Sequence, residues 1–481
     1  DTGQHSGLVI DYPYPSLGLV QSKRLYAHSL GTSYVYDYPE LFNQALNLEW
    51  KISLKDQISD NCVPRSTFQE LCLTNNHSFE LTPIELEPGH NRVGIICWKA
   101  NLYSPYYKNG TEIMLVANDI TFMNGSFTEL EANVFKAAGI MAREKQIPLI
   151  YICCCNGAQM GLADEVKNVY KVKWTDEKNY DKGIEYLYLE QDDYDRLITT
   201  NSIKAEKIED NSSVIYKITD IFGKIDGIGV ENLRGSGLIA GEMSQCYKEI
   251  FTISLVTGRA VGIGAYLVRL GRRVVQVEKS SIILTGANAL NNVLGKSVYS
   301  SHDQLGGIDI MYSNGVSQIV AKDDLDGIRQ ILSWLAYHIS MVDETQAFLN
   351  CVKNVNLEIL TDTTNESDPR NIVYGSMDSK GNFLQGFFDS SSIFEINNGW
   401  ARTVIAGRAR LGGIPVAYIM NDTKTIKSVI PVDPADPDDI HKDCIGIGQV
   451  LSPDSSFKFA QTIEDSNAEK LPLFIFANFR G

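Results

Sequence analysis

The amino-acid sequence predicts an α/β protein made of two related halves. β-rich apolar runs alternate with amphipathic segments of helical period, and one strand–turn–helix unit occurs twice along the chain. At 481 residues the chain can form two or three domains, each large enough for its own hydrophobic core.

The first half opens with a polar stretch, residues 43–88, whose weak periodicity predicts an excursion before the first core. Val93–Ala100 and Glu112–Asn118 are rich in apolar, β-favouring residues, which predicts two strands. Ser126–Glu129 has the composition of a capping box and predicts the start of an amphipathic helix. The expected inner face of this helix consists of Leu130, Val134, Ala137, Ala138 and Met141.

A glycine turn follows the next predicted strand. Leu149–Cys154 is a short apolar run that leads into Asn156, Gly157 and Ala158. Small residues between a strand and a helix leave main-chain N–H groups open to a ligand. A second helix is expected after the turn, with an inner face of Leu162, Val166, Val169 and Tyr170.

Glycine is also frequent in Glu231–Gly271, where we expect a long apolar helix. Strands are expected after it at Arg273–Val277 and Ile282–Leu284. A helix start at Val261–Gly264 has the same small-residue character as the turn at Gly157.

The repeated unit pairs Arg143–Gly157, which reads REKQIPLIYICCCNG, with Asn467–Gly481, which reads NAEKLPLFIFANFRG. Each has a polar helix end, a proline, a β-rich run and a final glycine at the same offset. Three upstream pairs support the match: Phe127 with Leu451, Phe135 with Phe459, and Gly94–Ile96 with Gly413–Pro415. The polar segment Asp343–Asn382 is the expected boundary, which predicts domains at residues 1–340 and 341–481.

The composition argues against several classes of protein, namely nucleic-acid-binding, membrane-bound and metal-binding proteins. A formal net charge of −16 argues against general nucleic-acid or membrane-surface binding, and no apolar run is long enough to span a membrane. The nine cysteines lack the paired spacing of a zinc site, so no metal is expected. They are interpreted as reduced thiols in a cytoplasmic protein.

Side-chain catalysis has little support in the sequence. Gly235-Ser236-Gly237 is a weak dinucleotide-binding signal without a convincing acidic partner, and a Gly-x-Ser-x-Gly elbow does not occur. What remains is main-chain chemistry at the two small-residue turns, where two N–H groups can form an oxyanion hole. Helix packing through glycine explains the same residues equally well.

Eight segments of the sequence, read in order, resemble the carboxyltransferase of eukaryotic acetyl-CoA carboxylases. The matches extend from about Tyr12 to Gly481 and are specific as a set. The segments are YVYDYPELFNQAL, VANDITFMNGSF, DKGIEYLYL, GVENLRGSGLIAG, GIGAYLVRLGRRVVQVEKSSIILTGANALNNVLGKSVYSSHDQLGGIDIMYSNGVS, GRARLGGIPV, IPVDPADP and LPLFIFANFRG.

The resemblance implies two crotonase-like domains, the second truncated, in a homodimer. It implies transfer of a carboxyl group from carboxybiotin to acetyl-CoA, giving malonyl-CoA, the committed step of fatty acid synthesis. The N-terminal domain would bind the coenzyme A ester, and the partner's C-terminal domain would receive biotin. A Met-Lys-Met attachment motif does not occur in the sequence, so a separate biotin carboxyl carrier domain and an ATP-dependent biotin carboxylase domain are the implied partners.

The resemblance also assigns residues. The N–H groups of Ala158 and Ile263 would form the oxyanion hole beside Gly157 and Gly262. Arg259 and Arg480 would act in recognition and turnover, with Gly481 in the closing turn, and Tyr266 would line the cleft. Lys23 and Arg24 are candidates for the coenzyme A phosphates. The decarboxylated ureido nitrogen of biotin would accept the proton, so a side-chain base is not required.

The sequence departs from the family at several positions. Gln159 replaces an arginine beside the proposed oxyanion hole, and Gln318 replaces a histidine. These two substitutions keep open a catalytically impaired paralogue that acts in dimerisation or regulation. Two further alternatives are a propionyl-CoA or broader acyl-CoA carboxyltransferase and a crotonase-type hydratase.

Overall fold

A computed structural model describes residues 16–53, 63–75, 79–159, 163–210, 213–221, 230–338, 368–377, 380–390, 392–436 and 442–480. Its helices are α1 (Leu19–Ser29), α2 (Tyr38–Ser53), α3 (Glu129–Lys145), α4 (Asp164–Lys167), α5 (Gln191–Thr199), α6 (Val230–Glu249), α7 (Ile263–Leu270), α8 (Ala287–Leu294), α9 (Asp303–Gly306), α10 (Ile308–Met311), α11 (Asp324–Leu335), α12 (Arg370–Tyr374) and α13 (Pro453–Ala468).

The strands belong to five sheets. They are β1 (Thr67–Leu73), β2 (Leu81–Pro83), β3 (Ile95–Ser104), β4 (Tyr107–Asn118), β5 (Leu149–Cys155), β6 (Lys171–Trp174), β7 (Ile184–Leu189), β8 (Ile203–Asp210), β9 (Ser213–Ile221), β10 (Thr252–Val261), β11 (Val274–Val277), β12 (Ser281–Ile283), β13 (Ile319–Ala321), β14 (Gly375–Met377), β15 (Phe383–Gln385), β16 (Phe394–Ile396), β17 (Val404–Leu411), β18 (Ile414–Asn421), β19 (Ile426–Ile430), β20 (Lys442–Gly446) and β21 (Leu473–Phe476).

The main sheet has the order β13-β11-β10-β5-β4-β3-β1-β2, with β12 also paired to β10. Strands β4, β5, β10, β11 and β13 run parallel to one another, so their carboxyl ends meet at one edge. Every residue of β5 is buried, as expected for a central parallel strand covered on both faces. This carboxyl edge is where the predicted turns lie.

Helices cover both faces of the main sheet. One core contains residues of α1, α2 and α11, represented by Ala27, Phe42 and Trp334. The other core contains residues of α3, α6 and α7. The predicted inner face of α3 is partly confirmed, because Val134, Ala137 and Ala138 are buried and Leu130 and Met141 are only half-buried.

A second sheet repeats the central unit of the first. The hairpin β3–β4, helix α3 and strand β5 correspond to the hairpin β17–β18, helix α13 and strand β21. In each unit the last strand runs parallel to the second hairpin strand, with Met114 opposite Leu149 and Ala417 opposite Leu473. The duplicated α/β unit is therefore confirmed.

A smaller antiparallel sheet of order β6-β7-β9-β8 has its own core with α4 and α5. It occupies the region where a second helix was predicted after Gly157. That prediction is confirmed only in part: α4 has four residues and includes the buried Val166, whereas Val169 and Tyr170 come after its end and before β6. Leu162 lies outside the described residues.

Three further predictions need correction. Residues 43–88 are not only an excursion, because part of α2 and strands β1 and β2 lie there. Glu231–Gly271 is not one helix, since α6 ends at Glu249 and β10 and α7 follow. Gly94 and Gly413 are not equivalent, because Gly94 precedes the first strand of its hairpin and Gly413 precedes the second.

The predicted domain boundary near residue 340 lies outside the described residues and stays a prediction. In the described part of the chain, no helix is long and apolar enough to cross a membrane. Within the same residues, no group of His, Cys, Asp and Glu side chains is arranged to hold a metal ion.

Candidate active site

The first glycine turn follows β5, where Gly157 has a φ of +86°. The carbonyl of Gly157 accepts the N–H of Phe127 at 2.8 Å, and the N–H of Gln159 donates to the carbonyl of Phe127 at 2.8 Å. These two bonds form a short parallel bridge between Phe127 and Ala158. Since successive N–H groups of extended backbone point to opposite sides, the Ala158 N–H points away from Phe127.

The second glycine turn follows β10 and begins α7. Gly262 is the N-cap residue, with a φ of +55° and a ψ of −117°. Its N–H donates to the carbonyl of Ile283 at 2.9 Å, which fixes the turn to the end of β12. Ile263 is the first residue of the helix, so its N–H has no acceptor within the helix.

The two turns lie against each other. A Cβ atom on Gly157 would lie 3.2 Å from the carbonyl oxygen of Val261 and 3.8 Å from the Cα of Gly262. A Cβ atom on Gly264 would overlap the sulfur of Cys155, so α7 packs directly on the end of β5. The structure thus brings together the main chain that carries the Ala158 and Ile263 N–H groups.

Arg259 is on β10, close to this pair of turns. It is paired in register with Ser281 of β12, and its Nε atom is buried without a hydrogen-bond partner in the described part of the chain. Arg259 lines a cavity of about 360 Å³ together with Gly258, Cys154 and Ser281. Burial raises the pKa of the Cys154 thiol to about 12, so this thiol is protonated and unsuited as a nucleophile at neutral pH.

A second cavity, of about 510 Å³, lies beside α7. It is mainly apolar, and its walls include Tyr266, Leu284 and Met311. Tyr266 is 54% exposed, so its ring is accessible to a ligand or a partner. The predicted cleft aromatic is therefore in the first turn of the helix that begins at Ile263.

Lys23 and Arg24 are on α1, where carboxylates already hold them. The Nζ of Lys23 is 3.7 Å from the Oδ2 of Asp119, which follows β4 at the same edge of the main sheet. The guanidinium of Arg24 binds Asp37 through Nε at 2.9 Å and through a second nitrogen at 2.5 Å. Their role with coenzyme A phosphates stays a prediction.

The main-chain contact of Arg480 in the described part of the chain is with Gln449, not with the two glycine turns. Arg480 follows β21, its N–H donates to the carbonyl of Gln449 at 2.8 Å, and its side chain is exposed. Gly481 lies outside the described residues. The resemblance assigns both residues to a partner's site.

The structure shows where the two glutamines that depart from the family pattern lie. Gln318 is buried, and its side-chain oxygen accepts the N–H of Val274 at 2.7 Å. Gln159 is half-buried and adjoins the Phe127 bridge. Gln318 is thus part of the sheet edge, whereas Gln159 follows the Gly157 turn.

Sequence reasoning missed several polar residues around the first cavity, among them Lys279, Ser281 and His302. Lys279 and Ser281 lie in the polar run Glu278–Ser281 just before a predicted strand, which was an available signal. His302 lies in a polar segment, and nothing in the sequence places it beside β12.

Comparisons with known proteins agree on one family. The model of the carboxyl transferase domain matches residues 105–481. The chain is 43% identical over 477 residues to acetyl-CoA carboxylase of Schizosaccharomyces pombe and 44% identical over 476 residues to that of Saccharomyces cerevisiae. Each match covers 98% of this chain but 21% of the relative, so the chain spans about a fifth of their length.

Solved structures give the same fold at low sequence identity. The transcarboxylase 12S crystal structure with hydrolysed methylmalonyl-coenzyme A has a TM-score of 0.55 and 16% identity, over 96% of this chain and 67% of that one. A second transcarboxylase 12S structure, with methylmalonyl-coenzyme A and methylmalonic acid, has a TM-score of 0.56 and 15% identity. This likeness shows a shared α/β, crotonase-like fold, as the sequence predicted.

Proposed function

The chain belongs to the carboxyl transferase domain family, and on that premise we propose that it transfers a carboxyl group from carboxybiotin to acetyl-CoA. The product is malonyl-CoA. The observation that carries this proposal is the contact between the Gly157 and Gly262 turns.

The chemical difficulty lies in the substrate, because the α-carbon of a thioester is a weak acid. Its deprotonation places negative charge on the thioester oxygen, and fixed donors stabilise that charge without reorganisation. The N–H groups of Ala158 and Ile263 are such donors, held by the Phe127 bridge and by α7. Loss of one such donor typically costs about 3 kcal/mol of transition-state stabilisation.

Arg259 is the proposed carboxylate-binding residue on this side of the site. Its guanidinium can bind two carboxylate oxygens at once, and its Nε is buried without a partner among the described residues. Arg480 would contribute a second guanidinium from the partner subunit of a homodimer, alongside Gly481.

Biotin on a carrier domain would supply the carboxyl group. The apolar cavity beside Tyr266 and Leu284 suits the sulfur-containing ring and aliphatic chain of biotin, whose ureido ring is polar. The cavity includes residues of the first turn of α7. We place residues 1–340 on the coenzyme A side and residues 341–481 on the biotin side. A biotin carboxylase domain would recharge the carrier.

The cytosol is the expected compartment, because Cys153, Cys154 and Cys155 are buried as free thiols within β5. This expectation is independent of the oxyanion-hole geometry, so its failure would leave the reaction assignment standing. Failure of the homodimer would instead remove the role proposed for Arg480.

Malonyl-CoA decarboxylation in the presence of free biotin tests the reaction. We expect turnover in the parent protein and a loss of at least a hundredfold in Arg259→Ala and in Arg480→Ala. Full activity in both variants would overturn the assigned roles. A comparison of acetyl-CoA with propionyl-CoA as carboxyl acceptors distinguishes the broader acyl-CoA carboxyltransferase.

One observation favours a second candidate, a catalytically impaired paralogue. Gln159 stands where the resembling family has arginine, directly after Ala158. If the parent protein binds acetyl-CoA without turnover, and Gln159→Arg restores turnover, the impaired form is correct. Turnover in the parent protein excludes it.

A further inference from the structure

Strand β10 bulges away from β5 just before the second glycine turn. The two strands pair one residue for one as far as Cys153 of β5, and they pair again at Cys155. Between these points β10 has three residues, Thr257–Arg259, opposite Cys154 alone. A bulge changes the direction in which the side chains of a strand point. This bulge therefore contributes to the direction of the Arg259 side chain.

Gly258 is at the centre of the bulge and has a φ of +64°, a conformation that suits glycine. A Cβ atom on Gly258 would lie 3.0 Å from the sulfur of Cys154 and 3.1 Å from the carbonyl oxygen of Leu30. The bulge is thus packed between β5 and the segment that follows α1.

A buried hydrogen-bond network holds Thr257, the first residue of the bulge. Its hydroxyl donates to Oδ1 of Asp324, in the first turn of α11, at 2.5 Å, and its Oγ1 lies 2.9 Å from Oγ1 of Thr32. The second carboxylate oxygen of Asp324 accepts the N–H of Ser33 at 2.7 Å. Thr257 is fully buried, and Asp324 is 7% exposed. Hydrogen bonds to a carboxylate are stronger than those between neutral groups, so Asp324 ties β10 firmly to the segment after α1.

The side chain of Arg259 is less firmly held than that of Thr257. Its Nε is buried without a hydrogen-bond partner in the part of the chain that the structure describes. The main chain of Arg259 is fixed on one side by its pairing with Ser281 of β12 and on the other by the bulge. The position of its guanidinium therefore depends on the main chain at Thr257 and Gly258.

We infer that Asp324 and Thr257 are positioning residues, which fix the bulge of β10 and so hold Arg259 in the geometry that turnover needs. The inference rests on the proposed function and deepens it by two residues that act through Arg259. The two residues are 67 positions apart in the sequence, and the fold brings them together.

Malonyl-CoA decarboxylation with free biotin tests the inference. Thr257→Val removes the hydroxyl and keeps the shape of the side chain, whereas Thr257→Ser keeps the hydroxyl. Thr257→Val should lower kcat/KM at least tenfold, because a displacement of about 1 Å in a site can cost a hundredfold in rate. Thr257→Ser should stay within roughly twofold of the parent protein, since it retains the hydrogen bond to Asp324.

Thr252→Val is the matched control. Thr252 is the first residue of β10, it is fully buried, and its hydroxyl donates to the carbonyl of Gly271 at 2.9 Å. Both valine variants should lower the midpoint of thermal unfolding, because each loses one buried hydrogen bond. Only Thr257→Val should lower kcat/KM. An equal loss of kcat/KM in the two variants would show a general loss of stability and would overturn the inference.

A double-mutant cycle with Arg259→Ala separates positioning from an independent effect. When Arg259→Ala is already present, Thr257→Val should lower kcat/KM by less than roughly twofold, because the guanidinium that it positions is gone. A further tenfold loss would overturn the inference. If Thr257→Val does not fold, Asp324→Asn takes its place, since an amide has one acceptor oxygen where the carboxylate has two.

The same assay distinguishes this inference from the proposed function. Full activity of Thr257→Val in a parent protein that turns over would overturn the positioning role alone. Absence of turnover in the parent protein would contradict the proposed function, and the positioning role with it.

Discussion

Gly262 adopts a backbone conformation that a residue with a side chain reaches only with strain. Its φ is +55° and its ψ is −117°, and it faces Gly157, whose φ is +86°. The pair combines two requirements for glycine, positive φ and a close main-chain approach. Both requirements are met where the Gly157 and Gly262 turns lie against each other.

Gly262→Ala should therefore reduce activity more than stability. We expect a loss of at least a hundredfold in malonyl-CoA decarboxylation, because the strained turn displaces the Ile263 N–H. The free energy of unfolding should fall by about 1–3 kcal/mol. Gly237→Ala is the matched control: Gly237 is in α6, and a Cβ atom there meets nothing within 4 Å. Near-normal activity of Gly262→Ala would contradict the oxyanion role.

The small-residue pattern was enough to predict both glycine turns from the sequence. The surroundings of Lys23 and Arg24 were not predictable, because their carboxylate partners, Asp119 and Asp37, come from other segments. The sequence identifies a basic side chain, but it does not identify the carboxylate that neutralises this side chain in the folded protein. The cavity beside Arg259 was also not predicted, because its lining residues come from separate segments of the chain.

At the scale of elements, the start of α3 explains how Ala158 is held. A capping box was predicted at Ser126 and Glu129, but the structure forms it from Thr128 and Glu131. The chain is still extended at Phe127, where it bridges to Ala158, so the helix can begin only after that bridge. The sequence pattern correctly predicts a capping box, but the bridge between Phe127 and Ala158 shifts the box by two residues along the chain.

Glu131 joins this helix start to the main sheet, and its removal should destabilise the protein. Its side chain accepts the N–H of Gly94 at 2.8 Å and that of Thr128 at 2.9 Å, and it is buried. Glu131→Ala leaves both N–H groups without this acceptor, so the free energy of unfolding in urea should fall by about 3 kcal/mol.

Glu129→Ala is the control for that measurement, since Glu129 is half-buried in the same turn. It should cost no more than a few tenths of a kcal/mol, the effect of one charge near a helix N-terminus. Similar losses in the two variants would mean that helix charge, and not the buried bonds, stabilises this turn.

The strand β10 shows why some elements were not predicted. Thr252–Val261 follows a helical apolar segment with only Ile250 and Phe251 between, so the sequence offers no turn signal between them. Its strand state comes from pairing with β5, far earlier in the sequence, and with β11 and β12, which follow only after α7. Tertiary pairing thus overrides a weak local preference.

At the scale of the whole molecule, one buried carboxylate links the two sheets. Glu469, after α13, binds Arg273 beside β11 and Arg408 on β17, with nitrogen–oxygen distances of 2.8–2.9 Å. All three side chains are at most 2% exposed. Burial alone would raise the pKa of Glu469, but Arg408 and Arg273 outweigh it and lower the pKa to about 2.

This linkage predicts an acid-dependent loss of stability. The pKa of Glu469 is lower in the folded protein than its ordinary value near 4.5, so its contribution is complete above about pH 4.5. As the pH falls from 4.5 towards 2, the free energy of unfolding should fall by about 3 kcal/mol from this group. Glu469→Gln should remove that pH dependence, and at pH 7 it should be less stable by roughly 3–5 kcal/mol.

Denaturant unfolding of both proteins between pH 3 and pH 7 measures the difference. Glu464→Gln is the control, because Glu464 forms an exposed ion pair with Arg272 at 2.9 Å. Parallel pH profiles for the parent protein and Glu469→Gln would show that this carboxylate does not link stability to pH.

The separation of the two proposed arginines has a consequence for assembly. Arg259 adjoins the glycine turns of the main sheet, whereas Arg480 follows β21 of the second sheet.

If each site of a homodimer takes Arg259 from one chain and Arg480 from its partner, inactive variants should complement each other. A heterodimer of Arg259→Ala and Arg480→Ala has one doubly altered site and one intact site. Random mixing should then restore about a quarter of the parent activity, as two-fold symmetry requires. Co-refolded variants assayed for malonyl-CoA decarboxylation measure this, and a mixture no more active than its components would place both arginines in one chain's own site.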